Sequence, residues 1–254
     1  MTMLQVQNLY KDFDGIKAVD NLSFMIEANS ITALVGPNGS GKTTVFNIIS
    51  GFLKADKGRV LLDDRDIASL SPYKIARQGI GRTFQNIRLF PQISTLDNIM
   101  LGLRYETGER FSSGLFQTKR MKREETDNIK KAEKLLEFVG LSEKRDSLAE
   151  NLSHGQRKLL ELARILALEP KIFLLDEPIA GLFPETRRTM LGLIKTLKGK
   201  GQTILFIEHD LNSVMDVAEK IIVLDHGKKI AEGTPEEIKQ NKEVLKAYLG
   251  KESL

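Results

Sequence analysis

An apolar run, Ile31 to Val35, passes directly into Gly36-Pro37-Asn38-Gly39-Ser40-Gly41-Lys42-Thr43 and then into a segment of helical texture, Thr44 to Ser50. Strand, glycine-rich loop and helix in that order are the setting of a P-loop. Glycines let backbone N–H groups converge on anionic oxygens, and the start of the helix adds partial positive charge. The Lys42 ammonium reaches terminal phosphates and Thr43 offers a hydroxyl to magnesium. A glycine turn that merely preceded a helix would have no need of the Gly-Lys-Thr ending. The sequence therefore predicts a nucleoside triphosphate site built from Gly36, Pro37, Asn38, Gly39, Ser40, Gly41, Lys42, Thr43 and Thr44.

The rest of the composition narrows what such a site can belong to. With 254 residues, 41% hydrophobic and 28% charged, the chain has room for one large domain or a core carrying an inserted lobe. No apolar run approaches the roughly 18 residues that a bilayer span needs. No export leader precedes Gln5, and the absence of cysteine excludes a disulfide framework or a thiolate metal site. A cytoplasmic setting is expected. The net charge of +4 is spread over basic residues scattered among nearly as many acids, so nucleic acid is not an expected partner.

Residues 3 to 26 alternate polar and apolar positions around Asp14-Gly15, with Leu4, Val6 and Leu9 before the turn and Ala18, Leu22, Phe24 and Ile26 after it. This is antiparallel strand material, extended by residues 58 to 62. The texture then changes to short, wholly apolar runs at 31–35, 172–175, 203–207 and 221–224, which suit strands buried on both faces. An α/β core around a mainly parallel sheet is predicted, with Lys228 to Ala231 as a hairpin edge. Residues 94–168 carry helical spacing instead, with Ile129, Ala132, Leu135, Leu136 and Val139 on one face of a segment ending at Gly140. The expected organisation is a nucleotide-binding core of residues 1–93 and 169–254, holding the N-terminal antiparallel β subdomain, and an inserted helical subdomain at 94–168. Within the insert, Arg104 to Glu125 shows no steady apolar period and reads as an exposed loop or a pair of short helices.

Two further constellations carry chemistry. The run Ile172 to Leu175 leads into Asp176-Glu177-Pro178, so adjacent carboxylates emerge at the C-terminal end of a buried strand, where open α/β sheets bind ligands. Asp176 suits a magnesium shell and Glu177 is placed to polarise an attacking water. Leu152-Ser153-His154-Gly155-Gln156 precedes an amphipathic helix with Leu159, Leu160, Leu162, Ala163 and Ile165 on its apolar face. Ser153 followed by Gln156 is a capping box that would satisfy that helix start without any ligand. A helix start bearing a serine hydroxyl and a glycine N–H is also an anion site.

Taken together, the P-loop, Ser153-His154-Gly155-Gln156 and Asp176-Glu177 resemble the ATP-binding cassette ATPases, in that family's order and over nearly the whole chain. The resemblance implies ATP and magnesium as cofactors. It implies that Phe13 stacks on adenine, that Gln85 in Thr83-Phe84-Gln85 contacts magnesium and the attacking water, and that His209, after Leu205-Phe206-Ile207-Glu208, touches the γ-phosphate. It also implies head-to-tail pairing with a second ATPase subunit, so that Ser153, Gly155 and Gln156 complete the partner's nucleotide site. Catalysis then falls to Glu177, His209, Gln85 and Lys42, and the metal to Thr43, Gln85 and Asp176. Two positions depart from the family pattern. His154 stands where glycine is common, and Phe183 stands where many members carry aspartate, which puts carboxylate signalling between paired sites in question.

Within that family, the run Gly79 to Phe90, together with Thr95-Leu96-Asp97-Asn98-Ile99, Ile179-Ala180-Gly181-Leu182 and the ending Ala247-Tyr248-Leu249-Gly250, resembles the ATPase subunits of high-affinity branched-chain amino acid importers. That resemblance implies integral-membrane permease subunits as partners and, indirectly, an external solute-binding protein. It implies a heterodimer in the transporter, with a homodimer open to the isolated chain, on the inner face of a prokaryotic membrane. The alternatives are a lipopolysaccharide-export or urea-type transport ATPase, a soluble cassette ATPase acting on nucleic acid or ribosomes, and a regulatory module without turnover. A single cassette and an insert too short and uneven for sustained heptads speak against the second, and intact Lys42, Asp176, Glu177 and His209 against the third.

Overall fold

The computed structural model describes residues 2–103 and 119–249. The chain opens with a hairpin of two long strands, β1 (Thr2–Phe13) and β2 (Ile16–Glu27). Their turn is Asp14-Gly15, with φ of 50° and 90°, the pair of positive values that a tight hairpin turn matching strand twist demands. The apolar parity of β1 slips between Val6 and Leu9, and the backbone slips with it. Asn8 takes φ 47° at a register shift and Asn21 does the same on β2 at 54°, so that Leu9 and Leu22 rejoin the buried face. Beyond the slip Val19, not Ala18, is the buried residue of β2.

The chain continues through β3 (Ile31–Val35), α1 (Lys42–Ile49), β4 (Lys57–Leu62), β5 (Arg65–Asp66), α2 (Pro72–Gln78) and β6 (Ile80–Arg82). There follow α3 (Thr95–Met100), α4 (Lys119–Phe138), α5 (His154–Leu166), β7 (Ile172–Asp176), α6 (Pro184–Gly199) and β8 (Thr203–Glu208). The last elements are α7 (Asn212–Met215), β9 (Lys220–Asp225), β10 (Lys228–Gly233), α8 (Pro235–Lys239) and α9 (Lys242–Leu249). The antiparallel sheet has the order β2-β1-β4-β5 and the second sheet β10-β9-β3-β8-β7-β6, parallel throughout except for β10. Every residue of β3, β7 and β8 is buried, which is why these strands read as unbroken apolar runs. Phe46, Ile48 and Ile49 of α1 join Leu4, Leu22, Leu34 and Leu174 in one core cluster.

Two compact units result among the described residues. One takes the chain up to Gln85, Lys171–Ala180 and the part from Arg188 onward; the other takes the part from Asn86 to Pro170 and Gly181–Arg187. In the second unit α4 buries Ala132 and Leu136, with Ile129 and Leu135 half-buried, and Val139 is buried just past its end. Its first turns correct one expectation. Lys119 to Glu125 is continuous helix, neither loop nor short helix pair, because Lys, Arg, Met and Glu are strong helix formers with no glycine or proline among them. The remainder of that charged stretch, residues 104–118, lies outside the described residues.

Candidate functional site

Three parallel neighbours, β3, β8 and β7, end side by side. Val35 pairs with Glu208 and Ile207 with Asp176, so the segments that leave these strands start from one edge of the sheet. From Val35 departs the loop 36–41, from Asp176 the Glu177-Pro178 segment, and from Glu208 the residue His209.

The loop is shaped by its glycines. Gly41 lies at φ 100°, where a Cβ would stand 2.3 Å from the Ala18 carbonyl oxygen, and Gly39 lies at φ 81° with nothing within 4 Å of its Cβ position. Gly41 caps α1 without a side-chain hydrogen bond. Lys42, buried at the first position of the helix, turns back on the loop and donates to the carbonyls of Gly36 at 2.7 Å and Pro37 at 2.9 Å and to Ser40 Oγ at 3.3 Å. An ammonium held by neutral acceptors, beside a helix start with no side-chain cap, is a cradle for a polyanion. Thr43 is exposed beside it, while Thr44 is half-buried.

At β7, the Asp176 N–H donates to Thr83 Oγ1 at 2.8 Å and the Asp176 carboxylate meets Arg82 Nη2 at 3.1 Å. Glu177 takes φ 48° and donates its N–H to the Ile207 carbonyl at 3.1 Å. A left-handed conformation at a glutamate costs about 1–3 kcal/mol and persists only where its surroundings impose it. His209 Nδ1 stands 4.0 Å from Glu177 Oε1 and 3.9 Å from Glu208 Oε2, with the imidazole 51% exposed. Glu208 is buried and accepts the Ile179 N–H at 3.2 Å, which fastens the strand end to the segment after Glu177. Among the described residues no group of three or more acidic, histidine or cysteine side chains surrounds a metal position. One buried carboxylate and one exposed threonine hydroxyl instead fit magnesium, which takes few protein ligands and shares the rest of its shell with phosphate and water.

Gln85 is exposed after β6, and Phe13 is 44% exposed at the end of β1, with Lys11 Nζ 5.3 Å from its ring centroid. Ser153, Gly155 and Gln156 belong to the second unit. There the capping box forms, Ser153 Oγ accepting from Gln156 N–H at 3.2 Å and Gln156 Oε1 from Ser153 N–H at 2.9 Å. Gly155 is required by packing, since a Cβ there would stand 2.8 Å from Thr186 Cγ2. His154 is exposed, and Phe183 presents a ring that is 83% exposed. His226 lies in the turn between β9 and β10, 85% exposed, beside Asp225.

The sequence reading missed Arg82 and Glu208. Arg82 lies in a strand of three residues, too short to show a period, and Glu208 had no feature to set it apart from an ordinary polar strand end.

A family model described as ABC transporter matches residues 19–180, and one described as branched-chain amino acid ATP-binding cassette transporter matches residues 228–253. Over 249 residues the chain is 39% identical to the high-affinity branched-chain amino acid transport ATP-binding protein BraF of Pseudomonas aeruginosa, with 98% of each chain covered. It is likewise 39% identical over 249 residues to the protein of that description, LivG, from Escherichia coli, again with 98% of each covered. Among solved structures, the ADP conformation of an ATP-binding cassette of an ABC transporter aligns with TM-score 0.85 and 38% identity, covering 98% of this chain and 99% of that one. A dimeric cassette in a post-hydrolysis state, bound to ADP and Pi, aligns with TM-score 0.77 and 27% identity, covering 92% and 99%.

Proposed function

This chain belongs to the ABC transporter family, and we propose that it is the ATPase subunit of an importer for branched-chain amino acids, paired with a second ATPase subunit and docked on membrane permease subunits. It binds and hydrolyses ATP. The observation that carries the site assignment is the common edge of β3, β8 and β7, where the Lys42 loop, the Asp176-Glu177 pair and His209 leave the sheet together.

On this reading the loop amides and Lys42 hold the phosphates, and Phe13 offers its ring to adenine. Glu177 takes a proton from the attacking water, while His209, beside it, steadies the terminal phosphate. Thr43, Asp176 and Gln85 hold magnesium, which when bound offsets phosphate charge. Ser153, Gly155 and Gln156 serve the partner's nucleotide, because a capped serine hydroxyl that accepts one bond still has a proton to donate. ATP clasped between two such surfaces closes the pair, hydrolysis releases it, and the cycle drives the permease. The division into a core of 1–93 and 169–254 and a helical insert of 94–168 belongs to this reading.

The solute class is supported by the relatives' descriptions and by the family match at residues 228–253. An external binding protein would present the solute, and this chain would not touch it. No helix among the described residues is long and apolar enough to cross a membrane. On this reading the chain works on the inner face of the membrane beneath the permease, as the relatives' descriptions as transport ATP-binding proteins support.

The test is Glu177→Gln. We expect ATP affinity to persist, turnover to fall by about 10²-fold or more, and an ATP-bound dimer to accumulate in light scattering. Turnover close to wild type would remove Glu177 from its role. Loss of labelled-leucine uptake in a strain lacking the chain is expected, and undiminished uptake would refute the solute class.

A further inference from the structure

The family reading leaves Arg82 without a role, although its side chain is enclosed within the described core. Its side chain is 6% exposed and that of Asp176 3%. One prong of the guanidinium, Nη2, meets Asp176 Oδ2 at 3.1 Å, and the other, Nη1, donates to Ser50 Oγ at 2.5 Å. Three aromatic rings surround it, with centroids 5.7 Å (Phe46), 5.8 Å (Phe52) and 5.1 Å (Phe84) from Cζ, and Phe52 and Phe84 meet edge to face at 5.4 Å. Pairing of β6 with β7 sets Arg82 opposite Leu174. Since i and i+2 share a face of a strand, the arginine lies on the face from which Asp176 projects. The next residue, Thr83, accepts the Asp176 N–H. Two consecutive residues of one short edge thus grip the side chain and the backbone of a single aspartate.

We propose that Arg82 is a positioning residue for the metal. It fixes the orientation of the Asp176 carboxylate so that magnesium bound with ATP finds a preset oxygen, and it ties that orientation to the segment leading into Gln85, three residues on. The inference rests on Asp176 being the magnesium carboxylate. A planar fork suits the task because its two prongs reach two different partners while aromatic rings enclose its body, which a lysine ammonium cannot match. Without the arginine the aspartate would lose the ion pair that sets the direction of its carboxylate.

The experiment uses the full chain with Arg82→Met, Arg82→Lys and Ser50→Ala. ATP affinity is measured by calorimetry in EDTA, and Mn2+ affinity of the protein–ATP complex by electron paramagnetic resonance with protein in excess. We expect Arg82→Met to bind metal-free ATP within twofold of wild type and to hold Mn2+ at least tenfold more weakly. Arg82→Lys should recover part of that loss, and Ser50→Ala, which keeps the charge and loosens one prong, should lose about two- to fivefold. Unchanged or tighter Mn2+ binding in Arg82→Met overturns the proposal, as does a parallel loss of metal-free ATP binding, the mark of a merely structural role. If Arg82→Met does not fold, the other two variants decide by the same criterion. A wild type that binds no ATP even with magnesium present would instead refute the nucleotide site itself.

Discussion

Gly39 and Gly41 allow the phosphate cradle to be tested through backbone geometry alone. Both residues lie in the left-handed region, at φ 81° and 100°, so an alanine at either position costs about 1–2 kcal/mol in backbone strain. At Gly39 nothing lies within 4 Å of the added carbon, and strain is the whole cost. At Gly41 the carbon would stand 2.3 Å from the Ala18 carbonyl oxygen. That oxygen cannot simply retreat, because Asp20 N–H donates to the Gly227 carbonyl at 2.9 Å and Gly227 N–H to the Ser40 carbonyl at 3.1 Å, which binds β2, the β9–β10 turn and the loop into one block. Reaching even 3.0 Å requires a shift of about 0.7 Å, and overpacking of this kind adds about 1–3 kcal/mol. Gly39→Ala should therefore lose about 1–2 kcal/mol of stability and Gly41→Ala about 2–5 kcal/mol. The shift at Gly41 also moves the first N–H groups of α1, and misplacement on the order of 1 Å costs as much as 100-fold where geometry is critical. Matched urea unfolding and calorimetry with ATP would measure both. If Gly41→Ala binds ATP within twofold of wild type and unfolds with Gly39→Ala, the loop conformation is not what holds the phosphates.

Phe13→Ala should weaken ATP and ADP alike by about 10- to 100-fold, the range of base–aromatic stacking, with unfolding almost unmoved since the ring is 44% exposed; equal affinities in a fluorescent-nucleotide titration would remove the ring from the adenine site. Tyr248 gives a pH prediction. Its hydroxyl is buried with no hydrogen-bond partner among the described residues, and burial, with the carboxylates of Asp210 and Asp225, raises the phenol well above its ordinary value of 10.0. A folded value above the unfolded one means stability that is complete below about pH 10 and is lost as pH rises further, because only the unfolded phenol ionises readily. Tyr248→Phe should unfold like wild type at pH 7, or be more stable by up to about 1 kcal/mol, and should lose less stability between pH 9.5 and 11. Parallel loss in both proteins in denaturant titrations would refute the assignment.

The parts of the site that were legible in the sequence are those where backbone chemistry restricts residue choice. A loop that needs positive φ selects glycine, a strand covered on both faces selects an unbroken apolar run, and a hairpin turn selects Asp-Gly. The loop at 36–43, the runs at 31–35, 172–175 and 203–207 and the turn at 14–15 were legible for those reasons. Even the slip from Val6 to Leu9 was written in the spacing, although placing Ala18 on the buried face overlooked the second bulge at Asn21. What stayed hidden depends on tertiary neighbours. Three residues of β6 have no period, and the aromatic enclosure of Arg82 is gathered from positions 46, 52 and 84. The first turns of α4 failed to show for a different reason, since an exposed helix made of good formers needs no apolar face.

Ser153 shows why a local rule and a binding role need not exclude one another. The capping box uses the lone pair of Ser153 Oγ and the side-chain oxygen Oε1 of Gln156, while an anion would need the hydroxyl proton and the N–H of Gly155. The cap therefore orders the donors before any ligand arrives, and the ordering entropy that binding would otherwise cost is already met by folding. The same logic holds for Lys42, whose ammonium rests on the Gly36 and Pro37 carbonyls, and for Asp176, held by Arg82 and Thr83. In each case a side chain assigned to the ligand is already fixed by a neutral or oppositely charged neighbour a few residues or one strand away. A polyanion entering such a site exchanges partners for groups already in place, and the free energy of contact remains available to draw two subunits together.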